Sequence, residues 1–153
     1  MRRIAVLMLA VSGVVVAPAA MAADGLVKRA SPYSVEATAE RFVEKAKLQK
    51  LNIFKQVDHA AGAASVDMDL RPTHVIIFGN PKGGTPLMQC SQTMGIDLPM
   101  KALVWKDAEG QVWFGYNDPE YLAERHGASD CKPVAKIGQL LNNLSAEVVA
   151  EGN

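Results

Sequence analysis

The stretch from Asn80 to Thr85 holds the residues best suited to bind a ligand. It reads Asn-Pro-Lys-Gly-Gly-Thr and lies between a predicted buried strand and a predicted helix. Gly83 and Gly84 are expected to leave their backbone N–H groups uncovered, and a helix start adds partial positive charge. Lys82 would add a full charge beside them. The pattern predicts a seat for an anion or a carboxylate; the alternative is a tight strand-to-helix turn that binds nothing.

The same stretch does not match the phosphate-binding loop of nucleotide hydrolases. That loop has a glycine, four further residues, and then Gly-Lys-Ser/Thr. Gly79 and Gly84 have this spacing, but Thr85 occupies the position that the lysine needs. We therefore predict no nucleotide hydrolysis at this position.

The three histidines are the next candidates for acid–base chemistry. His59 follows Asp58 at a predicted strand end, so the two could act as a base and its orienting carboxylate. The alternative is an exposed turn histidine. His74 opens a strand and is expected to be a structural residue with its hydrogen bonds satisfied. His126 precedes a glycine at a predicted helix end, where a cation is favourable, so we expect a capping role.

Metal ligands and catalytic motifs are sparse. Cys90 and Met94 are four residues apart and could share a helix face, but Met88 lies off that face. The sequence contains no Cys-x-x-Cys, His-x-x-x-His or Gly-x-Ser-x-Gly pattern. We therefore predict packing methionines, no metal and no cofactor. The remaining enzymatic hypothesis is a base at Lys101 or at the Asp58–His59 pair.

Hydrophobic spacing predicts the elements that must position these residues. A helix from its N-cap Ser34 to about Leu51 follows from one apolar stripe. The apolar run at residues 75–78 predicts a strand covered on both sides or buried within a layer. Thr85 as N-cap with Pro86 predicts a helix to about Met94. Further strands are predicted at 25–30, 52–58, 102–105 and 112–116, and further helices within 59–70 and at 120–126 and 133–149.

Together these elements predict an α+β fold. Gly110 supplies the positive φ of a tight turn, so the strands at 102–105 and 112–116 should be antiparallel neighbours. We expect a single compact domain with one mixed, mostly antiparallel sheet of about five strands and helices packed on it. The chain has 153 residues, 49% of them apolar, which is enough for one hydrophobic core.

Residues 1–22 are predicted to be a signal peptide. Arg2 and Arg3 precede an uncharged apolar run, and Ala20-Met21-Ala22 fits the small-x-small cleavage rule. The run is shorter than the roughly 20 residues that a bilayer span needs. We therefore expect cleavage after Ala22 and a periplasmic or secreted protein without a stable membrane anchor. The domain would occupy residues 23–153, with its core at about 26–144.

Export shapes how charge and cysteines are interpreted. The chain has 16 basic and 16 acidic residues, and removing residues 1–22 leaves the rest slightly acidic. Nucleic acid is excluded as a partner, because binding phosphates needs a basic face. In an oxidising compartment Cys90 and Cys131 are candidates for a disulfide, which would stabilise the fold by about 4 kcal/mol. Two unpaired thiols are the alternative.

Three separated motifs carry a resemblance to a known family. They are the runs at residues 78–88 (Phe-Gly-Asn-Pro-Lys-Gly-Gly-Thr-Pro-Leu-Met), 97–105 (Asp-Leu-Pro-Met-Lys-Ala-Leu-Val-Trp) and 116–119 (Tyr-Asn-Asp-Pro). With the stretches at 58–63 and 70–73, they resemble the domain-of-unknown-function family DUF302 over about residues 26–144. Cys90 and Cys131 look like additions to the family pattern, so the resemblance does not predict their pairing.

The resemblance implies a compact α+β domain with one sheet, self-associating as a homodimer, and no established reaction. The leading hypothesis is non-enzymatic binding of a small anionic or polar ligand at residues 80–85. The alternative is a homodimeric interaction module anchored by Leu87, Met88 and the strands of Trp105 and Trp113. The motif residues map onto strand ends and the 80–85 loop, so one cleft could be lined by Asn80, Gly83, Gly84, Thr85, Lys101 and Asn117. In the binding hypothesis Lys82 and Lys101 would offer charge, and the loop amides and Asn117 would orient the ligand.

Overall fold

The computed structural model describes residues 25–151 and contains five strands and five α-helices in that part of the chain. The predicted signal peptide lies outside the described residues. None of the helices within 25–151 is long and apolar enough to cross a bilayer. The strands are β1 Leu26–Ser31, β2 Asn52–Asp58, β3 Thr73–Gly79, β4 Met100–Lys106 and β5 Val112–Asn117; the helices are α1 Val35–Leu48, α2 His59–Ala64, α3 Pro81–Cys90, α4 Pro119–Arg125 and α5 Pro133–Val149.

The five strands form one sheet in the order β1-β5-β4-β3-β2. Every neighbouring pair is antiparallel, so the sheet is fully antiparallel rather than mixed. The predicted hairpin between β4 and β5 is confirmed, and Gly110 in its turn has a φ of +86°. The α+β class and the single sheet of five strands are therefore confirmed.

The hydrophobic core lies between one face of the sheet and the helices. Phe42 of α1 is 1% exposed, and its ring centroid lies 4.9 Å from that of Phe78 and 5.1 Å from that of Phe114. The predicted stripe of α1 is confirmed, with Ser34 as its N-cap. α1 ends at Leu48, earlier than predicted, where Lys50 takes a positive φ of 59°. α5 adds the buried residues Val134, Leu141, Leu144 and Val148.

The opposite face of the sheet is not covered by the helices that form the core. We predicted that the run at 75–78 would be covered on both sides or buried within a layer, and this is only half right. Ile76 and Phe78 are buried, whereas Val75 and Ile77 on the other face stay partly exposed. Leu103, Trp105 and Trp113 extend this partly exposed apolar surface, which we call the outer face.

Helix α3 begins five residues before the predicted start. Asn80 is its N-cap and Pro81 its first residue, so residues 81–85 form the first turns of a helix rather than a loop. Asn80 and Thr85 each precede a proline and could each cap a helix. Asn80 also donates from Nδ2 to the carbonyl of Lys50 at 2.8 Å, a contact with the turn after α1 that favours the earlier start. The helix ends at Cys90, and a 3-10 helix follows over Gln92–Ile96.

Candidate functional site

A cavity of about 720 Å³ opens between α3, α5 and the end of the sheet. We call it the α3–α5 cavity. Its volume falls within the range of about 300–1,000 Å³ that is typical of small-molecule sites. Its apolar lining includes Leu51, Phe54, Leu87, Met88, Leu98, Pro99, Ile137 and Leu140, and its polar lining Gln49, Asn80, Lys82, Thr85, Lys136, Gln139 and Asn143.

Two glycines leave part of the α3 wall of this cavity without side chains. A Cβ atom on Gly83 would lie 3.9 Å from Cδ1 of Ile137, and one on Gly84 would lie 3.9 Å from Cδ1 of Leu98. Even a methyl group would therefore touch the opposite walls. Glycine inside a helix lowers its stability by about 1 kcal/mol relative to alanine. The open space is thus kept at a cost in helix stability.

The backbone amides of this turn are not free donors, contrary to the prediction. Gly83 and Gly84 both donate to the carbonyl of Asn80 at 2.9 Å. The N–H of Lys82 donates to Oδ1 of Asn80 at 2.9 Å. Because α3 begins at Pro81, these amides form its cap and first turn. Positive charge at the cavity must therefore come mainly from side chains.

Two lysines on opposite walls supply that charge. Lys82 lies on α3 and Lys136 on α5, and both are exposed. No aspartate or glutamate is among the described residues that line this cavity. The opening is therefore basic, although the chain as a whole has balanced charges.

The structure separates Lys101 and Asn117 from the other predicted ligand-binding residues. Each is one residue from the inward-facing pair Ala102–Tyr116, so both project from the outer face. Nζ of Lys101 donates to the carbonyl of Asp97 at 3.0 Å. Asn80, Lys82, Gly83, Gly84 and Thr85 line the α3–α5 cavity, but Lys101 and Asn117 do not. One common cleft is therefore not formed.

The candidate acid–base residues do not form a site with the cavity. Oδ1 of Asp58 accepts from the N–H of Ala61 at 3.0 Å and caps α2, while the adjacent His59 is exposed. Neither lines the cavity. The prediction for His74 is wrong in one respect, because its buried Nε2 has no hydrogen-bond partner within the described chain.

His126 belongs to a polar cluster that the sequence did not reveal. It is the predicted C-cap of α4, and its Nε2 also lies 2.7 Å from Oδ2 of Asp97. Its Nδ1 lies 2.9 Å from Oγ1 of Thr93, and Arg125 contacts the same carboxylate at 3.1 Å. The cluster ties the 3-10 helix to α4 and does not line the α3–α5 cavity. Its partners are about 30 residues apart, so no local pattern signals it.

Cys90 and Cys131 form a disulfide, with their Cα atoms 6.0 Å apart. The bond joins the last residue of α3 to the segment just before α5. It therefore links the two helices that form the walls of the cavity. Because both sulfurs are used, neither cysteine is a thiolate ligand for a metal.

A second cavity, of about 650 Å³, lies where α4 meets the start of α5. We call it the α4–α5 cavity. In contrast to the first, its lining includes four carboxylates and one lysine, namely Asp118, Glu120, Glu124, Asp130 and Lys132.

The proposed interface anchors separate into two groups. Leu87 is 2% exposed and belongs to the core, so it is not available to a partner. Met88 is 37% exposed but lines the α3–α5 cavity. Trp105 and Trp113 stack on the outer face with ring centroids 6.4 Å apart. Only the tryptophan strands therefore remain as interface candidates.

Two curated relatives match most of this chain in sequence but are longer proteins. "Fluoride-specific ion channel FluC 1" of Brucella suis is 49% identical over 112 residues, which cover 73% of this chain and 44% of that protein. "Fluoride-specific ion channel FluC 2" of Brucella melitensis is also 49% identical over 112 residues, covering 73% of this chain and 42% of that protein. The chain thus spans less than half the length of these relatives.

A solved structure and a family match agree with the fold. The "uncharacterized conserved protein DUF302 from Bacillus stearothermophilus" superposes with a TM-score of 0.76 at 18% identity, covering 82% of this chain and 99% of that one. At this identity the likeness concerns the fold alone. The family described as "Domain of unknown function DUF302" matches residues 27–148. Since this match covers most of the chain, the protein belongs to the DUF302 family.

Proposed function

We propose that this domain binds a small molecule in the α3–α5 cavity and does so without catalysing a reaction. The observation that supports this proposal most is that Gly83 and Gly84 line a concave space of ligand size between two helices. The predicted ligand-binding stretch, residues 80–85, forms one wall of that space.

A negatively charged or polar group on the ligand is supported by the rim of the cavity. Lys82 and Lys136 face the same opening, and no described carboxylate lines it. Gln139 and Asn143 add neutral donors and acceptors. Such a site discriminates against cations, because two ammonium groups repel them and no carboxylate attracts them.

The test is a ligand screen monitored by amide NMR. Small carboxylates, phosphates and polar metabolites are titrated, and inorganic fluoride is included because the curated relatives are named for it. We expect at least one compound to shift the Gly83 and Gly84 amide signals. Gly84→Phe, which fills the cavity, should abolish the shift, whereas Gly62→Phe in α2, with no atom within 4 Å of its Cβ position, should keep it. A panel without any shift at these amides contradicts the proposal.

We also propose that the chain is exported, with cleavage after Ala22 and a periplasmic or secreted mature protein. The disulfide between Cys90 and Cys131 supports this, because disulfides persist in oxidising compartments. Fractionation of cells and the intact mass of the purified protein test it. A cytoplasmic protein that retains residues 1–22 contradicts it.

A second candidate function is self-association through the outer face. The Trp105 ring lies over Gly115, where a Cβ atom would be 3.1 Å from the ring. Val75 and Leu103 lie opposite each other on the same face, Ile77 follows two residues further along β3, and all three are partly exposed. Contiguous apolar patches on a soluble domain commonly mark interfaces. We therefore propose a homodimer that packs two outer faces together.

Sedimentation velocity tests this candidate. Leu103→Glu places a charge at the centre of the outer face and should convert dimers to monomers. Ile96→Glu is the matched control, because Ile96 is 74% exposed and lies in the 3-10 helix. A dimer that survives Leu103→Glu, or a wild-type protein that is monomeric at all concentrations, contradicts the dimer proposal.

A further inference from the structure

The lining of the α3–α5 cavity is more apolar than a site for a small hydrophilic anion requires. Leu51, Leu98, Ile137 and Leu140 lie along its length and remain partly exposed in the cavity. Partly exposed apolar side chains in a concave site favour a ligand that removes them from water. The ligand therefore needs an apolar portion as well as a charge.

Phe54 extends this apolar lining at the edge of the sheet. The register of β2 against β3 shifts between Ile53 and Lys55, which makes Phe54 the extra residue of a bulge. A bulge re-aims a side chain relative to its neighbours. The ring lies over Gly79, where a Cβ atom would be 3.7 Å from its Cε2. Phe54 is thereby 52% exposed and lines the cavity rather than packing in the core.

The charges of the cavity stand at its rim and have one sign. Lys82 and Lys136 project from the two helical walls, and the described lining contains no carboxylate. The neighbouring α4–α5 cavity, by contrast, is lined by four carboxylates and one lysine. The basic character therefore belongs to this cavity and not to the whole helical surface.

We infer that the ligand is an amphipathic anion: an acyl or similar apolar chain that carries a carboxylate or phosphate head group. The chain lies against Leu98, Ile137, Leu140 and Phe54, and the head group pairs with Lys82 and Lys136. This inference rests on the proposed binding function and narrows it to a ligand class.

Three probes separate the two parts of the ligand: dodecanoate, dodecanol and butyrate, each titrated into the purified protein with the Gly83 and Gly84 amides as reporters. We expect dodecanoate to bind most tightly, dodecanol more weakly and butyrate not measurably. Lys82→Gln and Lys136→Gln should each weaken dodecanoate binding about threefold, the worth of one exposed ion pair, and leave dodecanol binding unchanged. Gly84→Phe should abolish the binding of both twelve-carbon probes, while Gly62→Phe should bind them normally.

The outcomes distinguish this inference from the proposed function. Shifts of the same amides by small polar metabolites, without any response to dodecanoate, overturn the amphipathic class and leave the binding function standing. Equal binding of dodecanoate and dodecanol, insensitive to both lysine variants, overturns the anionic head group. No response to any compound overturns both proposals. Should Gly84→Phe fail to fold, as judged by circular dichroism, Ile137→Phe fills the same space from the opposite wall.

Discussion

Both faces of the sheet carry apolar side chains, but the helices of the core cover only one of them. The other, outer face also carries lysines: Lys101 projects from it, and Nζ of Lys28 lies 4.7 Å from the centroid of the Trp113 ring. On the helical face, α1 and α5 pack on the strands, and the α3–α5 cavity opens between α3, α5 and the end of the sheet. On the outer face, the rings of Trp105 and Trp113 stack with their centroids 6.4 Å apart, and neither the α3–α5 cavity nor the α4–α5 cavity lies there. The α3–α5 cavity is concave and can enclose a small molecule, whereas an open sheet face is buried only by a large partner. We therefore propose ligand binding at the helical face and self-association at the outer face.

The largest effect we expect is a difference in the free energy of unfolding lost when a ring is removed from each face. Phe42→Ala removes a ring that is 1% exposed between the sheet and α1, and should lower the free energy of unfolding by about 4 kcal/mol. Trp105→Ala removes a partly exposed ring from the outer face and should lower it by only about 1 kcal/mol in the monomer.

Urea unfolding at several protein concentrations measures both losses. If a second copy covers the outer face, the Trp105→Ala loss grows with concentration while the Phe42→Ala loss does not. Equal losses for the two variants in the monomer would break the comparison, because they would mean that the outer face is as well covered as the core.

The disulfide gives the next largest effect, and only the helical face has one. Replacing Cys90 and Cys131 together by serine frees α3 from the start of α5 and should lower the free energy of unfolding by up to about 4 kcal/mol. Sedimentation of the same variant should show unchanged self-association, because the bond lies away from the outer face. A change in dimer affinity as large as the loss of stability would contradict this separation.

Local patterns predicted most of the fold. The stripe of α1, the Ser34 cap and the Gly110 turn depend on residues close in sequence, and all three are present. The predicted start of α3 was wrong because Asn80 and Thr85 both precede a proline and either could cap the helix. The hydrogen bond from Asn80 to Lys50, 30 residues away, favours the first, and no local pattern reveals it.

The candidate site was predicted in part for a related reason. The stretch at 80–85 does line the cavity, but Lys101 was grouped with it although its side chain lies on the outer face of the sheet. Met100, Ala102 and Val104 point inward, yet Leu103 and Trp105 on the opposite face are also apolar. Without a polar alternation the sequence could not show which side is inward. The apolar lining from α5 was missed because its spacing is also that of a core helix.

Filling the cavity by a single methyl group should produce an effect of opposite sign. Gly84→Ala should raise the free energy of unfolding by about 1 kcal/mol through helix propensity, because its Cβ atom would meet Leu98 at an ordinary 3.9 Å. The same methyl group narrows the cavity and should weaken ligand binding.

Gly138→Ala in α5 is the control, since nothing lies within 4 Å of its Cβ position. It should stabilise the protein equally and leave ligand binding intact. A Gly84→Ala variant that is more stable and binds as tightly as the wild type would show that the glycine does not serve the cavity.

Alkaline pH should lower the free energy of unfolding through Tyr116, a buried residue of the helical face. Tyr116 is 5% exposed, and burial raises the pKa of its hydroxyl above the usual 10.0. The folded state thus favours the neutral phenol. Its contribution to stability is complete below pH 10.0 and is lost as the pH rises through the raised folded pKa. Thermal melts at a series of pH values should show that the melting temperature falls with pH above 10.0, and that it falls less for Tyr116→Phe than for the wild type.

The smallest effect on stability should appear at acidic pH and should come from the hydrogen bond between Trp113 and Asp107 on the outer face. Nε1 of Trp113 donates to Oδ2 of Asp107 at 2.6 Å, and this hydrogen bond lowers the pKa of the carboxyl below 3.8. Because the folded pKa is depressed, the contribution is present above pH 3.8 and is lost as the pH falls through the folded value. Trp113→Phe keeps a ring on the outer face and removes the donor. Its acid unfolding curve should therefore depend less on pH than that of the wild type in this range alone. Identical curves for the two proteins would mean that Asp107 titrates in the same way whether or not the indole donates to it.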